Sequence, residues 1–339
     1  MSCIVLTHLG KSTPPYLEDC CHQIRLWNPT DFRILLLLEG VHHRENPFFL
    51  RLQDTYDVSL IFTESLKPTP HHRAFLDFFA NPNQAELLAF RNGYWKFVKE
   101  RFFFLEEVML AKELTHVISM EYDILVYANI KATLLHKFQT SHPTLRVVKD
   151  NETRGHPGFM YIPSAAAMQH FNEFVVSTLD KEIEDMQTLC LYGETHPTRL
   201  NYLPCISDKT NQLKPVRESL DKEHTVTNPW FLSQDSEHFG VLFDSLVIGQ
   251  ALGGIDPRNN DGKKFSPYWN EGALYNIKEI LRGGWAKDAQ NRWVPIFDGR
   301  CVVTIHVHCK ALSSYLSSRI DMPKDDYVVG TVLQTLEKN

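Results

Sequence analysis

The sequence predicts an α/β fold in which an open, mostly parallel sheet is wound with helices. Short apolar runs alternate with amphipathic stretches along the first 60 residues, in the order strand, helix, strand, helix, strand. A second observation is the long amphipathic stretch 94–110, which runs into the apolar segment 116–120. Apolar strands that alternate with helices are typical of parallel sheets covered on both faces.

The amino-terminal elements follow from local patterns. Residues 4–8 form a short apolar strand, which a turn rich in glycine and proline follows. Residues 16–27 have the apolar spacing of a helix, and Asn28-Pro29 ends it. Residues 34–38 are a continuous apolar run, as expected of a buried parallel strand, and 58–62 predict a third strand.

The later elements follow in the same way. The helix over 94–110 places Trp95, Phe102 and Met109 on one apolar face. The strand over 116–120 ends at Glu121-Tyr122-Asp123 and resumes over 124–127. The remaining predictions are a helix over 131–138, a strand over 145–148, an extended segment over 156–163, helices over 164–179, 180–192 and 239–252, and a strand over 302–308.

Composition restricts the function classes. The chain has 339 residues and a net charge of −6, and it has no basic stripe for a nucleic acid. It contains no run of 18 apolar residues and no leader segment, so we expect a cytoplasmic protein with no transmembrane segment. Seven cysteines without paired spacing predict a reducing compartment. The pairs His42-His43 and His71-His72 lie in polar sequence and are expected to be solvated.

Two acidic residues close the central strand. Glu121 and Asp123 are one residue apart on extended chain, so their side chains project to the same side and can share one divalent cation. About five triplets of acid, any residue, acid are expected by chance from this composition, but this one ends an apolar strand. The alternative is a charged strand end that faces solvent.

A second motif, His306-Val307-His308, lies near the carboxyl terminus. Alternation along a strand turns both imidazoles to one face, where they could bind a metal, and Lys310 is close enough to meet a phosphate. About 0.7 such triplets are expected by chance from 16 histidines. The alternative is therefore a pair of hydrogen-bonded histidines on an edge strand.

Glu121-Tyr122-Asp123 resembles the acidic Asp-x-Asp motif of nucleotide-sugar-dependent glycosyltransferases with the GT-A fold, including bacterial sugar transferases. In that family the motif holds a divalent cation that bridges to the donor diphosphate, and many members add a late histidine. The resemblance implies a GT-A-like single domain with a mixed, mostly parallel sheet flanked by helices. The implied organisation of the domain over 1–339 is a nucleotide-binding half at 1–130, a donor-sugar and acceptor half at 131–312, and a carboxyl-terminal tail at 313–339.

The resemblance also implies roles for single residues. Glu121 stands where the family has aspartate, so its longer side chain implies contact with the sugar, the ribose or a water on the cation, and leaves Asp123 as the direct ligand. The implied ligands of Mn²⁺ or Mg²⁺ are Glu121, Asp123, His306 and His308. The implied donor-binding residues are Thr7 and His8 at the base or ribose, Arg101, Glu121, Asp123, Gly158 beside the sugar, and Lys310 at the phosphates.

Arg101 and Asp185 each allow two interpretations. Arg101 could meet the donor, as a basic residue on the helix before the motif does in the family, or it could pair with Glu106 or Glu107 at the surface. Asp185 could point to the donor sugar or belong to a solvated helical face.

The implied reaction is divalent-metal-dependent glycosyl transfer from a nucleoside-diphosphate sugar to a hydroxyl of a glycan, a lipid-linked molecule or a protein. If the reaction inverts the sugar, the candidate bases are Asp244, Asp256 and Glu271. Asp244 and Asp256 lie in the segments 243–245 and 249–256, which resemble the acceptor-side segment of several bacterial sugar transferases. Two alternatives stay open at this stage: a metal-dependent phosphoester hydrolase and a non-catalytic nucleotide-sugar binding protein.

Overall fold

A seven-stranded sheet forms the centre of the protein in a computed structural model that describes residues 2–30, 32–181, 183–208, 230–259, 268, 272–274 and 283–321. Its strands are β1 (Cys3–His8), β2 (Arg33–Leu38), β3 (Val58–Phe62), β4 (Val117–Met120), β6 (Leu145–Asn151), β7 (Arg154–Ile162) and β8 (Leu200–Tyr202). The strand order is β3-β2-β1-β4-β7-β6-β8. Strand β7 is antiparallel to both of its neighbours, and the other pairs are parallel. The predicted α/β class with a mixed, mostly parallel sheet is confirmed.

Helices cover the sheet. They are α1 (Tyr16–Trp27), α2 (Gly40–His43), α3 (Pro47–Tyr56), α4 (Pro70–Ala80), α5 (Ala85–Ala89), α6 (Tyr94–Ala111), α7 (Leu135–Thr140, preceded by a π-helical turn at Ile130–Leu134), α8 (Ala165–Ser177), α9 (Asp185–Thr195), α10 (Ser236–Phe239) and α11 (Val247–Gly253). Helix α6 packs against α4 and α8, and α9 packs on β7. The apolar runs of β1 and β2 are buried almost throughout, because helices cover both faces of these central strands.

Two smaller sheets complete the described part of the chain. Strands β9 (Gly283–Lys287), β10 (Trp293–Phe297) and β11 (Arg300–Cys301) form an antiparallel sheet. Strand β5 (Ile124–Val126) pairs antiparallel with β12 (Thr304–His306). The chain after the acidic motif therefore leaves the main sheet for a partner from the far end of the sequence. No helix within the described residues is long and apolar enough to cross a membrane.

Two predicted elements are wrong in extent. The helix over 239–252 is two short helices, α10 and α11, because Gly240 and Leu246 adopt left-handed backbone angles and Leu242 bridges to Val302. The helix over 180–192 begins at Asp185, where Glu184 forms a capping box with Gln187. Apolar spacing alone does not reveal either interruption.

The expectation of solvated histidine pairs is wrong for His43 and for His72, which are both buried. His72 lies between α4 and α6. Its Nδ1 lies 2.7 Å from Glu107 Oε1, and its Nε2 lies 3.5 Å from Glu100 Oε1. The ring also stacks on Phe103 at 5.3 Å. Burial alone would lower the pKa of His72, but the two carboxylates raise it to about 9.

We expect Glu107→Gln to reduce the free energy of unfolding at pH 6 by about 2–4 kcal/mol, because it leaves a buried imidazolium with one carboxylate fewer. The pKa of folded His72 is raised, so its contribution is fully present below about pH 6.5 and is lost as the pH rises through about 9. Urea unfolding at pH 6, 7.5 and 9 measures the difference between wild type and variant, which should shrink with pH. Glu86→Gln on exposed α5 is the control. A difference that stays constant from pH 6 to pH 9 would contradict the assignment.

Candidate functional site

The candidate site lies at the carboxyl end of β1 and β4. Strand β4 ends at Met120, and the chain turns through Glu121 and Asp123 into β5. The pairing of β5 with β12 brings His306 alongside, and the Val307 amide donates to the Asp123 carbonyl at 2.8 Å. Open α/β sheets place their ligands at this edge.

Asp123 is the centre of the site. His306 Nε2 lies 2.9 Å from Asp123 Oδ2, and the Lys310 ammonium donates to the same oxygen. Burial alone would raise the pKa of the Asp123 carboxyl, but the His306 and Lys310 cations hold it well below its usual range. Burial likewise opposes the raised pKa values of His306 and Lys310, which result mainly from the Asp123 charge. Asp123 therefore carries a negative charge at neutral pH.

Glu121 connects the centre to helix α6. Its carboxylate accepts from the Arg101 guanidinium, whose other arm donates to Asp185 Oδ2 at 2.6 Å. Burial would raise the pKa of Glu121, and Arg101 lowers it below its usual value. The Glu121 amide donates to the Gly158 carbonyl at 2.8 Å. Arg101 thus faces the acidic motif, and not Glu106 or Glu107.

Three residues of the site could hold a cation. Glu121, Asp123 and His306 each offer one ligand atom, and these atoms lie within 4.8 Å of one another. Two anionic oxygens and an imidazole nitrogen suit a divalent ion such as Mn²⁺, which accepts both donor types. His306 would bind through its neutral form, so a metal would compete with the proton that Asp123 favours on this ring. The residues therefore fit a divalent cation.

His308 does not join the three ligand atoms. Strand β12 ends at His306, and the two imidazole centroids are 5.7 Å apart. The Asp256 amide donates to His308 Nδ1 at 3.0 Å, so a neutral His308 carries its proton on Nε2. Burial, followed by the nearby His306 charge, lowers the pKa of His308 to about 4. His308 is therefore neutral at physiological pH and orients the turn that contains Asp256.

The predicted base candidates have other partners. Asp244 accepts from the backbone amides of Ile248 and Gly249, both at 2.9 Å, and of His306 at 3.0 Å. It is a buried carboxylate that joins α11 to β12. Asp256 is chelated by Arg258; burial would raise its pKa, but these hydrogen bonds lower it to about 2. Burial raises the pKa of Asp244, but both of its oxygens already accept backbone amides, and Arg258 holds the oxygens of Asp256. Neither carboxylate therefore has the free oxygen that a general base needs.

The base prediction at Glu271 lies outside the described residues. Thr7 and His8 lie at the end of β1. The Thr7 hydroxyl is buried without a hydrogen-bond partner. Gly158 lies opposite the acidic motif, and a Cβ there would stand 2.9 Å from Ile124 Cδ1 and 3.4 Å from Glu121 Oε2. The strand can pass this close because residue 158 has no side chain.

His8 is surrounded by rings. Its Nδ1 lies 3.1 Å from the Tyr122 hydroxyl, and Tyr16 lies beside Tyr122 with a centroid distance of 5.7 Å. His43 and Phe49 pack against His8 on the other side. Burial lowers the pKa of His8 to about 4, so the His8 ring is neutral at physiological pH.

Sequence reasoning assigned Arg101, His306 and Lys310 to the site of the acidic motif, but it left Asp185 with two interpretations and did not identify Tyr16 or Tyr122. Asp185 is buried and paired with Arg101, so its interpretation as part of a solvated face is wrong. Asp185 is the first residue of α9, after the capping residue Glu184, and this position does not reveal its distant partner. The positions of Tyr16 and Tyr122 beside His8 likewise carry no signal in the sequence.

Similar solved structures are glycosyltransferases by their names. Mouse xyloside xylosyltransferase 1 is 13% identical, with 60% of this chain and 86% of that chain covered and a TM-score of 0.40. The galactosyltransferase LgtC, solved with donor and acceptor sugar analogues, is 13% identical over 70% of this chain and 94% of its own, with a TM-score of 0.40. The PaToxG glycosyltransferase is 12% identical over 56% and 68%, with a TM-score of 0.39. No protein-family model and no curated protein match the chain.

We expect Gly249→Ala to lower the free energy of unfolding by roughly 2–3 kcal/mol, because the added Cβ would stand 1.9 Å from the His306 carbonyl oxygen and would displace β12. Urea unfolding measures the loss. Gly299→Ala is the control: Gly299 has a left-handed φ of +70° and no atom within 4 Å, so only the backbone term, about 1 kcal/mol, applies. Equal losses of unfolding free energy in the two variants would show that the space at Gly249 is not needed to position His306.

Proposed function

We propose that the protein transfers a sugar from a nucleoside-diphosphate sugar to an acceptor hydroxyl, with a divalent cation as cofactor. The observation that carries the proposal is the convergence of His306 and Lys310 on Asp123, beside Glu121 and Arg101. A cluster with two carboxylates, an imidazole and two permanent cations suits a ligand that brings both a metal ion and phosphates. The GT-A resemblance of the acidic motif supports the same interpretation.

In this proposal Asp123, Glu121 and His306 hold Mn²⁺ or Mg²⁺. When bound, the ion supplies Lewis-acid stabilisation of the negative charge that grows on the departing diphosphate. Lys310 and Arg101 add fixed positive charge on the two flanks of the acidic motif, where phosphate oxygens would lie. Both cations already have carboxylate partners, so their positions are set before a donor binds.

The nucleoside would lie at the end of β1. His8, Tyr16 and Tyr122 offer a neutral aromatic surface for a base, and the buried Thr7 hydroxyl is a hydrogen-bonding group without a partner. The donor sugar would lie between Gly158 and Asp185, since Arg101 holds the Asp185 carboxylate beside Glu121. In this arrangement Asp185 contacts the donor sugar, which is one of the two interpretations that the sequence allows.

The proposal keeps three candidate acceptors, which are a glycan, a lipid-linked molecule and a protein. Asp244 and Asp256 are poor bases for an inverting reaction, which leaves Glu271 as the proposed base among the three predicted carboxylates. All seven cysteines are free thiols, which supports the proposed cytoplasmic, reducing compartment.

We expect a cation-dependent thermal shift from at least one donor in a panel of UDP, GDP, CMP and dTDP sugars with Mn²⁺. A ligand at a hundred times its Kd adds roughly 2.7 kcal/mol to the free energy of unfolding. Asp123→Asn should abolish the shift, because the amide removes a metal-binding charge with almost no change in shape. His308→Ala is the matched control and should keep the shift, because His308 lies outside the ligand triad.

The panel also separates the alternatives. An equal shift in EDTA and in Mn²⁺ would remove the cation from the proposal, and no shift with any donor would refute donor binding. Rapid cleavage of the bound donor without an acceptor would indicate the phosphoester hydrolase. Donor binding without turnover on any acceptor would indicate the non-catalytic binding protein.

A further inference from the structure

An exposed aromatic surface lies at the amino end of helix α6. It consists of Phe90, Tyr94 and Trp95, and we call it the aromatic rim. The Phe90 and Trp95 rings stack with a centroid distance of 5.4 Å, and Tyr94 meets both rings edge-on. Phe90 is 42% exposed and Tyr94 is 38% exposed, although both are large apolar side chains. Contiguous exposed aromatic residues mark binding surfaces more often than chance.

The aromatic rim borders the candidate active site. Tyr94 lies on the same helix as Arg101, two turns before it. Burial, followed by the Asp185 and Glu121 charges, raises the pKa of the Tyr94 hydroxyl to about 12. Phe97, one turn further along α6, stands against Gly10 in the loop after β1. The amino end of α6 therefore forms one wall of the site mouth.

The aromatic rim is held in a specific conformation. Arg91 and Asn92 have left-handed φ values of 45° and 56°, and Gly93 follows with 95°. Two consecutive non-glycine residues rarely adopt this region, because it is unfavourable for residues with a side chain. The Arg91 guanidinium lies over the Phe90 ring and donates to Asn259 Oδ1 at 2.6 Å. This bond connects the rim to the turn that carries Asp256 and Arg258.

The opposite side of the mouth is polar. Asp256 and Arg258 form a bidentate pair, and the Arg258 side chain is 63% exposed. The hydrogen bonds to Asp256 raise the pKa of Arg258 above its usual value. The mouth thus combines a flat apolar wall with a fixed carboxylate and guanidinium.

We infer that the aromatic rim is a subsite for a pyranose ring of a carbohydrate acceptor. A pyranose has an apolar face of C–H groups that packs on an aromatic ring, and a rim of hydroxyls that the Asp256–Arg258 pair can bind. A second copy of the chain would need about 800 Å² of surface per partner, far more than three rings supply. Within the described residues the opposite side of the mouth carries the Asp256–Arg258 pair, which suits the hydroxyls of a sugar better than the apolar chain of a lipid. The inference rests on the proposed glycosyl transfer, and it selects the glycan from the three acceptor candidates.

The test is saturation-transfer NMR of the full chain with lactose, cellobiose and maltose, with and without the donor found by thermal shift. We expect at least one disaccharide to bind, and we expect Phe90→Ala and Phe90→Leu each to weaken its binding by roughly tenfold. The leucine keeps apolar volume and helps to preserve the fold, but it removes the flat ring. Leu110→Ala is the matched control, because Leu110 is an exposed apolar residue at the far end of the same helix. The donor thermal shift should be unchanged in the Phe90 variants.

Three results would overturn the subsite. The first is a donor shift in the wild type with no binding of any disaccharide. The second is equal saccharide binding in wild type, Phe90 variants and Leu110→Ala. The third is concentration-dependent dimerisation, or binding to phosphatidylcholine vesicles, that Phe90→Leu removes. Saccharide binding that depends on Phe90 without any donor shift would instead refute the proposed transfer and keep the carbohydrate subsite.

Discussion

The carboxylate of Asp123 receives both His306 and Lys310, from positions 183 and 187 residues later in the chain. The site cannot form unless the end of the chain returns to the edge of the central sheet. The pairing of β5 with β12 supplies that return, and the backbone bond from Val307 to the Asp123 carbonyl fixes its register. Asp244 and the space left by Gly249 then hold His306 from the opposite side. The proposed contact of His306 to a cation and that of Lys310 to a phosphate both depend on this closure.

The site is a balanced set of buried charges. Asp123, Glu121 and Asp185 are matched by Lys310, Arg101 and a His306 whose pKa is raised. Such clusters contribute little net stability, because desolvation offsets most of the Coulomb attraction. Removing one member would leave a buried charge without its partner, which is unfavourable. The ion pairs therefore fix the positions of the side chains, although they add little to the free energy of unfolding. Positive side chains that are already in position suit a reaction in which an anionic ligand binds and more negative charge develops in the transition state.

The elements predicted from the sequence are those that local pattern determines. The apolar runs of β1 and β2 and the spacing in α1 and α6 match the structure within one or two residues, because these segments are buried by helices that lie close in sequence. The acidic motif could be located because it closes such a strand. The prediction of one helix over 239–252 fails because Gly240 and Leu246 take left-handed backbone angles, and Leu242 between them bridges to Val302. Asp185 and His72 are polar residues that are buried against distant charged partners, Arg101 for Asp185 and Glu100 and Glu107 for His72. No spacing rule contains that information.

The central claim is that Asp123 and His306 hold a cation that meets a diphosphate. Phosphorus-31 NMR of UDP, GDP and dTDP with the protein and trace Mn²⁺ tests it directly, because a paramagnetic ion broadens only the phosphorus nuclei held close to it. The account predicts strong broadening of both phosphorus signals of at least one nucleotide with wild-type protein, beyond that given by free Mn²⁺, and loss of the excess in Asp123→Asn and His306→Ala. Excess broadening that is equal in wild type and in both variants would contradict it, as would no excess with any of the three nucleotides.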